Sequence, residues 1–314
     1  MSDSVKRAVN MKTIKVRKNP GDRAFDIFNT IFMIILVVIM AYPMINVLAI
    51  AFNDATDSLR GGIWVWPRIW TLRNFEQVFD NPLLITAFIN SVLRTVLSTV
   101  GGLFVCSAAA YVLSRREFVW NKGVTIYFLL TMYITAGLIP VFMLFSDLGL
   151  TNTFNVLWLP GLFGAFNVIV IRTFMQGLPD SLVEAARIDG AGEFRIYWQV
   201  ILPICKPVLA TVGLWIAVGN WNDWFTNFIF APFDGSLTTL QYELQKQIST
   251  ALAAIAGAQA GFDATAMAAG GMQAPTPVAI RSATTIVATL PILFVYPFLQ
   301  KYFVKGVHVG SVKG

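Results

Sequence analysis

Long apolar runs without charged residues dominate the chain. Five of them occupy residues 27–52, 95–114, 123–146, 148–171 and 282–300, and a sixth, residues 207–233, is interrupted only by Asp223. A helix that rises about 1.5 Å per residue needs about 20 residues to cross a hydrocarbon core of about 30 Å. The pattern therefore predicts an all-α polytopic membrane protein with six transmembrane helices.

The runs divide the chain into a membrane domain and two tails. We predict an amino-terminal tail over residues 1–24, a six-helix domain over residues 25–306 and a carboxyl-terminal tail over residues 307–314. Gly137 and Pro140 predict a kink in the third span, because proline lacks the N–H that the next turn needs. Six spans are expected, at about residues 27–52, 88–114, 123–146, 154–174, 207–229 and 282–303.

One weakly charged segment is not predicted to cross the membrane. Residues 247–280 consist largely of alanine and glycine, with few large apolar side chains. Such a segment gains little by leaving water, because membrane insertion rewards Leu, Ile, Phe and Val. We therefore predict a long external loop over residues 230–280, whose length suggests a contact role.

The basic residues predict the orientation. The net charge is +6, and most of the 23 Lys and Arg residues fall in the amino tail, the second-to-third loop, the fourth-to-fifth loop and the carboxyl tail. Lys and Arg close to membrane spans favour the cytoplasmic side. Both termini are therefore predicted to be cytoplasmic, and the basic amino tail is expected to meet anionic lipid, with no nucleic acid as a partner.

Composition excludes several chemistries. Hydrophobic residues make up 56% of the chain and charged residues 13%, where a soluble domain carries roughly a quarter. A single histidine, His308, and two cysteines, Cys106 and Cys205, cannot build a two-histidine metal site or a disulfide framework. No G-x-x-x-x-G-K-[ST] phosphate loop occurs in the sequence, so any ATP that drives this protein must be hydrolysed by another chain.

The loop between the fourth and fifth spans, residues 177–205, carries the most specific local pattern. Ser181 followed by Glu184 predicts a capping box and a short helix that starts near Leu182. Gly190 predicts the end of that helix, because glycine readily adopts the left-handed conformation. Four residues are predicted to share one face: Leu182, Ala185, Ala186 and Asp189.

A second helix is predicted to follow in the same loop. It begins at about Glu193 and is ended by Pro203, which cannot donate the next helical hydrogen bond. Phe194, Trp198 and Ile201 are spaced to lie on one side of it. The result is a helix, a glycine turn and another helix, fixed to a membrane span at each end, and this arrangement suits a lever.

Residues 184–203 resemble a known signature. They are similar to the E-A-A-x3-G-x9-I-x-L-P pattern of permease subunits of binding-protein-dependent ABC importers, with Val200 in place of the usual isoleucine. Further likeness to carbohydrate-importing permeases of the maltose-permease type, in particular its oligosaccharide branch, covers most of the chain. It is carried by Ala109, Tyr111, Leu113, Ser114 and Arg115, by G-L-I-P at 137–140, D-G-A at 189–191 and W-N-D-W-F at 221–225.

The resemblance implies a type I importer fold in the bacterial cytoplasmic membrane and a defined set of partners. These are a second homologous permease subunit, two copies of an ABC ATPase that use ATP and magnesium, an extracytoplasmic solute-binding protein, and a carbohydrate. The chain itself is expected to be no enzyme, with no catalytic residue, cofactor or metal of its own. The coupling residues that the signature implies are Glu184, Ala185, Ala186, Asp189, Gly190, Leu202 and Pro203.

Polar residues in the predicted spans are candidates for the substrate pathway. Sugar hydroxyls bond to amides, and the apolar faces of sugar rings stack on indoles. The alternatives are hydrogen bonding between helices, an interfacial aromatic belt, and pairing of Asp223 with a basic residue. Arg94 and Arg281 would tolerate an acidic sugar but fit structural pairing equally well. The candidates are Asn90, Asn167, Asn220, Trp221, Asn222 and Asp223.

The alternative function is a stand-alone secondary transporter or channel for a small polar solute. It predicts transport without ATP, paired ionisable residues near the middle of the membrane and an internal repeat, and the sequence contains neither of the last two. A membrane aspartyl protease needs two adjacent carboxylates, whereas only Asp223 lies well inside a predicted span. Co-purification with an ATPase subunit separates these hypotheses.

Overall fold

A computed structural model describes the backbone of residues 20–259 and 277–310, and it describes side chains in these ranges except at residues 251–259, 277 and 295–310. Most of the predicted amino-terminal tail, the middle of the predicted external loop and the end of the predicted carboxyl-terminal tail lie outside the described residues.

The described helices overlap all six predicted spans. Helices Pro20–Ala51 and Pro82–Ser114 and the helical stretch Phe154–Gln176 are each long and apolar enough to cross a membrane. Two bent helix pairs raise the number to five if each pair is one span, and the shorter apolar stretch Val278–Phe294 lies at the sixth predicted span. The all-α polytopic architecture is therefore confirmed for the described part of the chain.

The first two long helices are joined by a folded segment with two short helices. The second long helix starts before residue 88, where the sequence predicted its start, because Asn81 caps it. The Asn81 side chain accepts a hydrogen bond from the Leu83 N–H at 3.0 Å, and Pro82 occupies the first helical position. The four helices are α1 (Pro20–Ala51), α2 (Ala55–Ser58), α3 (Arg73–Asp80) and α4 (Pro82–Ser114).

The third predicted span is sharply bent. It consists of α5 (Asn121–Tyr133) and α6 (Leu138–Asp147), whose axes are bent relative to each other by 113°. Gly137, with a φ of +85°, lies directly before α6, so the predicted kink is confirmed. In the fourth span, two 3-10 turns at Phe154–Leu157 and Pro160–Leu162 lead into α7 (Ala165–Gln176).

The second half of the chain contains the loop with the signature and the last two predicted spans. The fifth predicted span is broken near Asp223 into two helices, and the predicted external loop contains a helix of 20 residues. The helices are α8 (Ser181–Ile188), α9 (Glu193–Arg195), a π-helix (Ile196–Ile201), α10 (Leu202–Ile204), α11 (Lys206–Asn222), α12 (Phe225–Phe230), α13 (Leu240–Gln259) and α14 (Pro277–Gly310).

One apolar core joins α4, α7, the loop over residues 177–205 and α11. Two glycines let α4 and α11 approach each other closely. A Cβ on Gly102 would lie 3.3 Å from Ile216, and a Cβ on Gly213 would lie 3.1 Å from Leu103. Each of the four elements contributes a fully buried residue: Cys106, Ile171, Ile196 and Val212.

Candidate coupling site

The loop over residues 177–205 starts with a helix whose amino end differs from the prediction. Asp180 precedes α8 in a helical backbone conformation, with φ −61° and ψ −27°, and its carbonyl accepts from the Glu184 N–H at 3.1 Å. Among the described residues, no side chain caps this end, so the predicted capping box between Ser181 and Glu184 is wrong. The reason is Pro179, whose fixed φ of about −65° starts the first turn early and leaves Ser181 inside the helix.

The predicted end of α8 is confirmed. Gly190 has a φ of +77°, in the left-handed region. Its N–H donates to the Arg187 carbonyl at 3.0 Å, and the Ala191 N–H donates to the Ala186 carbonyl at 3.0 Å. These two bonds form a Schellman motif, which satisfies carbonyls that a helix end otherwise leaves free. A Cβ on Gly190 would meet no described atom within 4 Å, so the positive φ alone selects glycine here.

The second helix of the loop is wound more loosely than predicted. Its central part, Ile196–Ile201, is a π-helix, in which each N–H reaches five residues back. The Leu202 N–H, for example, donates to the Tyr197 carbonyl. Pro203 lies inside the last turn and does not end it. The helix stops at Ile204, and the axis of the following helix, α11, is bent by 83° from its own.

The π-helix changes which residues share a face. Phe194 and Trp198 stack with 6.4 Å between their ring centroids, and both remain exposed. Ile201 is fully buried together with Ile196, five residues before it. A wider turn brings residues five apart onto one side, so the predicted common face of Phe194, Trp198 and Ile201 is wrong at Ile201.

α8 turns one side to the core and exposes the other. Val183 and Ala186 pack against the central core. Glu184, Ala185 and Ile188 are exposed, and Ile188 keeps 86% of its surface accessible. A large apolar side chain this exposed, beside an alanine that leaves the backbone accessible, indicates an interaction surface.

The other signature residues are spread around this surface. Asp189 and Gly190 are exposed at the tip of the loop, while Pro203 is exposed and Leu202 half-buried near the start of α11. The four residues predicted to share one face of α8 differ in exposure: Leu182 and Ala186 are half-buried, and Ala185 and Asp189 are exposed.

Arg187 joins α8 to two neighbouring segments. Its Nη1 and Nη2 donate to the two carboxylate oxygens of Glu117, in the loop between α4 and α5, at 2.6 and 2.8 Å. Its Nε donates to Glu193 Oε1 at 3.0 Å, and Glu193 Oε2 accepts from the Tyr111 hydroxyl at 2.7 Å. The planar guanidinium suits such paired contacts, so one side chain holds three segments together. We call these four residues the arginine latch.

The latch combines one positive and two negative side chains, and these three charged residues lie outside the predicted spans. Hydrogen bonds from Arg187 hold the pKa of Glu117 below its ordinary value, and the two carboxylates raise the pKa of Arg187. Both carboxylates are more than half exposed, so water screens the attraction, and the latch contributes geometry more than stability. Within the described ranges, no group of three or more His, Cys, Asp or Glu side chains is placed to hold a metal ion.

Two tyrosines, Tyr111 of α4 and Tyr197 of the loop, form further contacts between the loop and α4. The Tyr197 hydroxyl and the Ser107 hydroxyl are hydrogen-bonded at 2.8 Å inside the core. The rings of Tyr111 and Tyr197 lie 5.4 Å apart, and Arg115 stacks over the Tyr111 ring at 4.9 Å. The Tyr197 contacts therefore join the loop directly to α4 inside the core.

Two of the predicted pathway residues donate to backbone carbonyls elsewhere in the chain. Asn90 is buried in α4 and donates to the carbonyls of Ser236 and Thr238, at 2.7 and 2.9 Å, which joins α4 to the segment before α13. Trp221 is buried in α11, and its indole N–H donates to the Ala288 carbonyl in α14 at 2.9 Å. The Trp221 contact matches the alternative of hydrogen bonding between helices.

Asp223 pairs with a basic residue, as the other alternative predicts. The Arg94 guanidinium donates to the Asp223 carboxylate, and also to its backbone carbonyl at 2.7 Å. The Thr226 N–H donates to the same carboxylate at 3.1 Å. Arg94 is buried, so its charge is neutralised inside this chain, which removes it as support for an acidic sugar.

The three remaining pathway candidates are partly or fully accessible. Asn220 is half-buried and donates to the Ile216 carbonyl at 2.9 Å. Asn222 is exposed at the end of α11, and Asn167 is half-buried in α7. Residues 220–223 thus lie together at the carboxyl end of α11, whereas the other two candidates come from α4 and α7.

The sequence interpretation assigned no role to the residues of the latch. Arg187, Glu117 and Glu193 all fall in loops that were predicted to lie on one side of the membrane. Opposite charges in two such loops were a signal for pairing. The choice of partners, however, depends on how α8 packs against α4, and no local pattern encodes that packing.

Comparison with known proteins gives one family match and several relatives of nearly equal length. The family model described as "Binding-protein-dependent transport system inner membrane component" matches residues 15–309. The polygalacturonan/rhamnogalacturonan transport system permease protein YtcP of Bacillus subtilis (strain 168) is 32% identical, over 93% of this chain and 99% of that protein. Protein LplC of the same organism is 35% identical, over 93% and 96%. The arabinooligosaccharides transport system permease protein AraQ of Halalkalibacterium halodurans is 30% identical, over 91% and 95%.

Solved structures agree with the fold. A chain in the crystal structure of a bacterial ABC transporter involved in the import of the acidic polysaccharide alginate superimposes with a TM-score of 0.79, at 26% identity over 91% of this chain and 99% of that chain. A chain of the bacterial alginate ABC transporter in complex with an alginate pentasaccharide-bound periplasmic protein matches with a TM-score of 0.54, at 15% identity over 88% and 93%, and supports the fold alone. The predicted type I importer permease fold is confirmed.

Proposed function

The chain belongs to the family of binding-protein-dependent transport system inner membrane components, and from this premise we propose that it is one of two membrane subunits of an ATP-driven importer of an oligosaccharide. It is a transport subunit. Its helices form half of the pathway, and the loop over residues 177–205 couples them to a separate ATPase.

The exposed side of α8 carries this proposal. Glu184, Ala185 and Ile188 are exposed and face away from the chain's own core. The opposite side of the same helix is fixed by Val183 in the core and by the arginine latch. A helix held this firmly on one side and left open on the other is suited to receive a partner and to pass on its movement.

The proposed assembly contains four further subunits. A second homologous permease completes the pathway, two copies of an ABC ATPase bind ATP and magnesium, and an extracytoplasmic solute-binding protein delivers the sugar. This chain binds no cofactor of its own. The loops with most basic residues, and with them both termini, lie in the cytoplasm of a bacterium. The contacts to the ATPase come from Glu184, Ala185, Ala186, Asp189, Gly190, Leu202 and Pro203.

An oligosaccharide containing uronic acids is the narrower proposal for the substrate. Two comparisons support it, a relative named for polygalacturonan and rhamnogalacturonan and a solved importer of alginate. Another relative is named for arabinooligosaccharides, which keeps a neutral sugar as the competing class. The test is stimulation of ATP hydrolysis in the whole importer by solute receptors loaded from a panel of neutral and uronate oligosaccharides.

The experiment for coupling uses two substitutions of equally exposed apolar residues. Ile188→Asp places a charge on the open side of α8 and should abolish co-purification of the ATPase. Phe233→Asp, at a site 94% exposed in the predicted external loop, should leave it intact. ATPase retention by Ile188→Asp, or uptake by the purified chain alone without ATP, would contradict the proposal and favour the stand-alone transporter.

A further inference from the structure

The segment between α1 and α3 is a stiffly built loop. Asn53 is fully buried at its base, and its side-chain oxygen accepts from the N–H groups of Arg68 and Ile69 at 2.7 and 2.9 Å. The Asn53 amide donates to the Asp57 carboxylate at 3.0 Å. Asn74 donates to the Asn53 carbonyl at 2.8 Å and fastens α3 to the same point. These bonds leave the loop little freedom.

Two consecutive glycines reverse the chain within this loop. Gly61 and Gly62 have φ values of +69° and +72°, which other residues adopt at a cost. The Arg68 guanidinium holds the turn, because its Nη2 donates to the Gly61 carbonyl at 2.7 Å. The chain after the turn therefore runs back along α1.

Asn46 of α1 fixes the part of this loop that follows the glycine turn. Its side-chain amide donates to the carbonyls of Ile63 and Trp64, at 2.7 and 3.0 Å. Asn46 lies five residues before Ala51, where α1 ends. At about 1.5 Å per residue, the backbone at Ile63 and Trp64 is thus held about 7.5 Å below the end of that helix.

This level lies near the outer edge of the predicted first span. The charge-free run begins at Ile27, directly after Asp26, and continues to residue 52. About 20 helical residues span a core of about 30 Å, so this run is longer than the core, and counting from Ile27 the twentieth residue is Asn46. Asn46 therefore lies in the outer part of the span, close to the headgroup layer, and the loop tip lies beside it.

The side chains at this tip suit that layer. Ile63 is buried against the chain, but Trp64 and Trp66 are 67% and 70% exposed. Trp66 packs edge-on against Trp70 with 5.2 Å between their ring centroids, so it is held in place and stays accessible. Exposed Arg60 lies at the start of the same turn. Indoles favour the membrane interface, where the ring meets acyl chains and the N–H meets water or headgroups.

We propose that residues 60–66, which we call the tryptophan loop, form an interfacial anchor that inserts into the lipid headgroup layer at the carboxyl end of α1. α1 is itself exposed and apolar at this level, at Met44, Ile45 and Leu48. The anchor fixes the depth of α1. This proposal does not depend on the transported substrate or on the ATPase.

A depth measurement on the full chain tests the anchor. Trp66→Cys is labelled with an environment-sensitive fluorophore and reconstituted into vesicles of phosphatidylcholine and phosphatidylglycerol that carry nitroxide lipids. Both native cysteines are buried, and the unsubstituted chain measures any labelling of them. Val37→Cys, near the middle of α1, is the deep control, and Thr56→Cys, exposed on α2 beyond the end of α1, is the shallow control.

The three labels should give three different quenching patterns. The Trp66→Cys label should lose most fluorescence to a nitroxide near the headgroup, the Val37→Cys label to a nitroxide near the chain terminus, and the Thr56→Cys label little to either. Adding Asn46→Ala to Trp66→Cys should weaken its headgroup quenching. Equal quenching of the labels at positions 56 and 66 overturns the proposal. So does shielding of the Trp66→Cys label only when a solute-binding protein is added, because the loop would then be a protein-docking surface.

Discussion

The substitution Gly190→Ser tests whether the turn after α8 transmits movement, because it changes the backbone preference and little else. Gly190 has a φ of +77°, and a Cβ there would meet no described atom within 4 Å. The cost of Gly190→Ser is therefore the left-handed backbone alone, about 1–2 kcal/mol. A change of that size alters the balance between the native turn and other turns by a factor of roughly 5–30. The Schellman bonds at the tip should open in a sizeable fraction of molecules.

Gly192 offers a matched control in the same loop. It has φ −72° and ψ 161°, an ordinary conformation, and it is the N-cap of the next helix. A Cβ there would also meet no described atom within 4 Å, and serine is a favoured N-cap residue. Gly192→Ser should therefore be harmless. Gly190→Asn should lie closer to the unsubstituted protein, because asparagine tolerates the left-handed region.

The assay is the ratio of substrate taken up to ATP hydrolysed by the whole importer in proteoliposomes. Gly190→Ser should lower this ratio, with ATP hydrolysis retained, because in the proposed assembly the ATPase would push on a loop that no longer moves as one piece. A ratio equal to that of the unsubstituted protein would refute the lever, and so would equal losses in Gly190→Ser and Gly192→Ser.

Three more expectations concern the Arg94–Asp223 ion pair, the arginine latch and the hydrogen bond from the Trp221 indole. Asp223→Asn leaves the buried Arg94 charge unpaired and should reduce the free energy of unfolding by about 3–5 kcal/mol, lowering the Tm, whereas adding Arg94→Met should restore most of the loss; an unchanged Tm would argue against the pair. The lowered pKa of Glu117 means that its bond to Arg187 contributes above the ordinary carboxyl pKa of about 4.3 and is lost as pH falls through the lowered value. The Tm difference between the unsubstituted protein and Glu117→Gln should accordingly be constant from pH 7 to about pH 5 and shrink only at more acid pH; a difference that disappears between those two values would contradict this. Trp221→Phe removes the indole hydrogen bond to the Ala288 carbonyl and should cost about 0.5–1.5 kcal/mol, seen as a lower Tm, while substrate-stimulated ATP hydrolysis persists at permissive temperature; loss of the stimulation would instead support a pathway role.

The features of the fold that depend on one residue type or on a long run could be predicted from sequence. Apolar runs long enough to span the membrane placed the helices, and Gly190 and Gly137 marked a helix end and a bend because their backbone conformations are costly for other residues. The capping box failed because Pro179 shifted the helix start by one residue. A pattern of this kind specifies that a helix exists more firmly than it specifies the first residue.

The π-helix and the pairings within the site lay beyond local patterns. Phe194, Trp198 and Ile201 fit an α-helical face, yet packing of Ile196 and Ile201 into the core is satisfied by a wider turn. Arg187 could equally have paired elsewhere, since its partners are set by how α8 approaches the loop after α4. In the proposed assembly half of the pathway belongs to another subunit, so local patterns in this chain do not encode which of its residues line the pathway.

The contacts of α8 determine which helices are connected to its exposed side. The latch and the Val183 contact both lie on the core side, and in α4 the Tyr111 and Ser107 hydroxyls are hydrogen-bonded to Glu193 and Tyr197 of the loop. In the proposed assembly, a push on Ile188 would reach α4 through side chains that are already in contact. It would reach α11 through the helix over Glu193–Ile204, which is bent by 83° from α11, so that movement along the loop would tilt a span. One exposed point would thus drive two helices that flank the central core, as the proposed coupling to a separate ATPase requires.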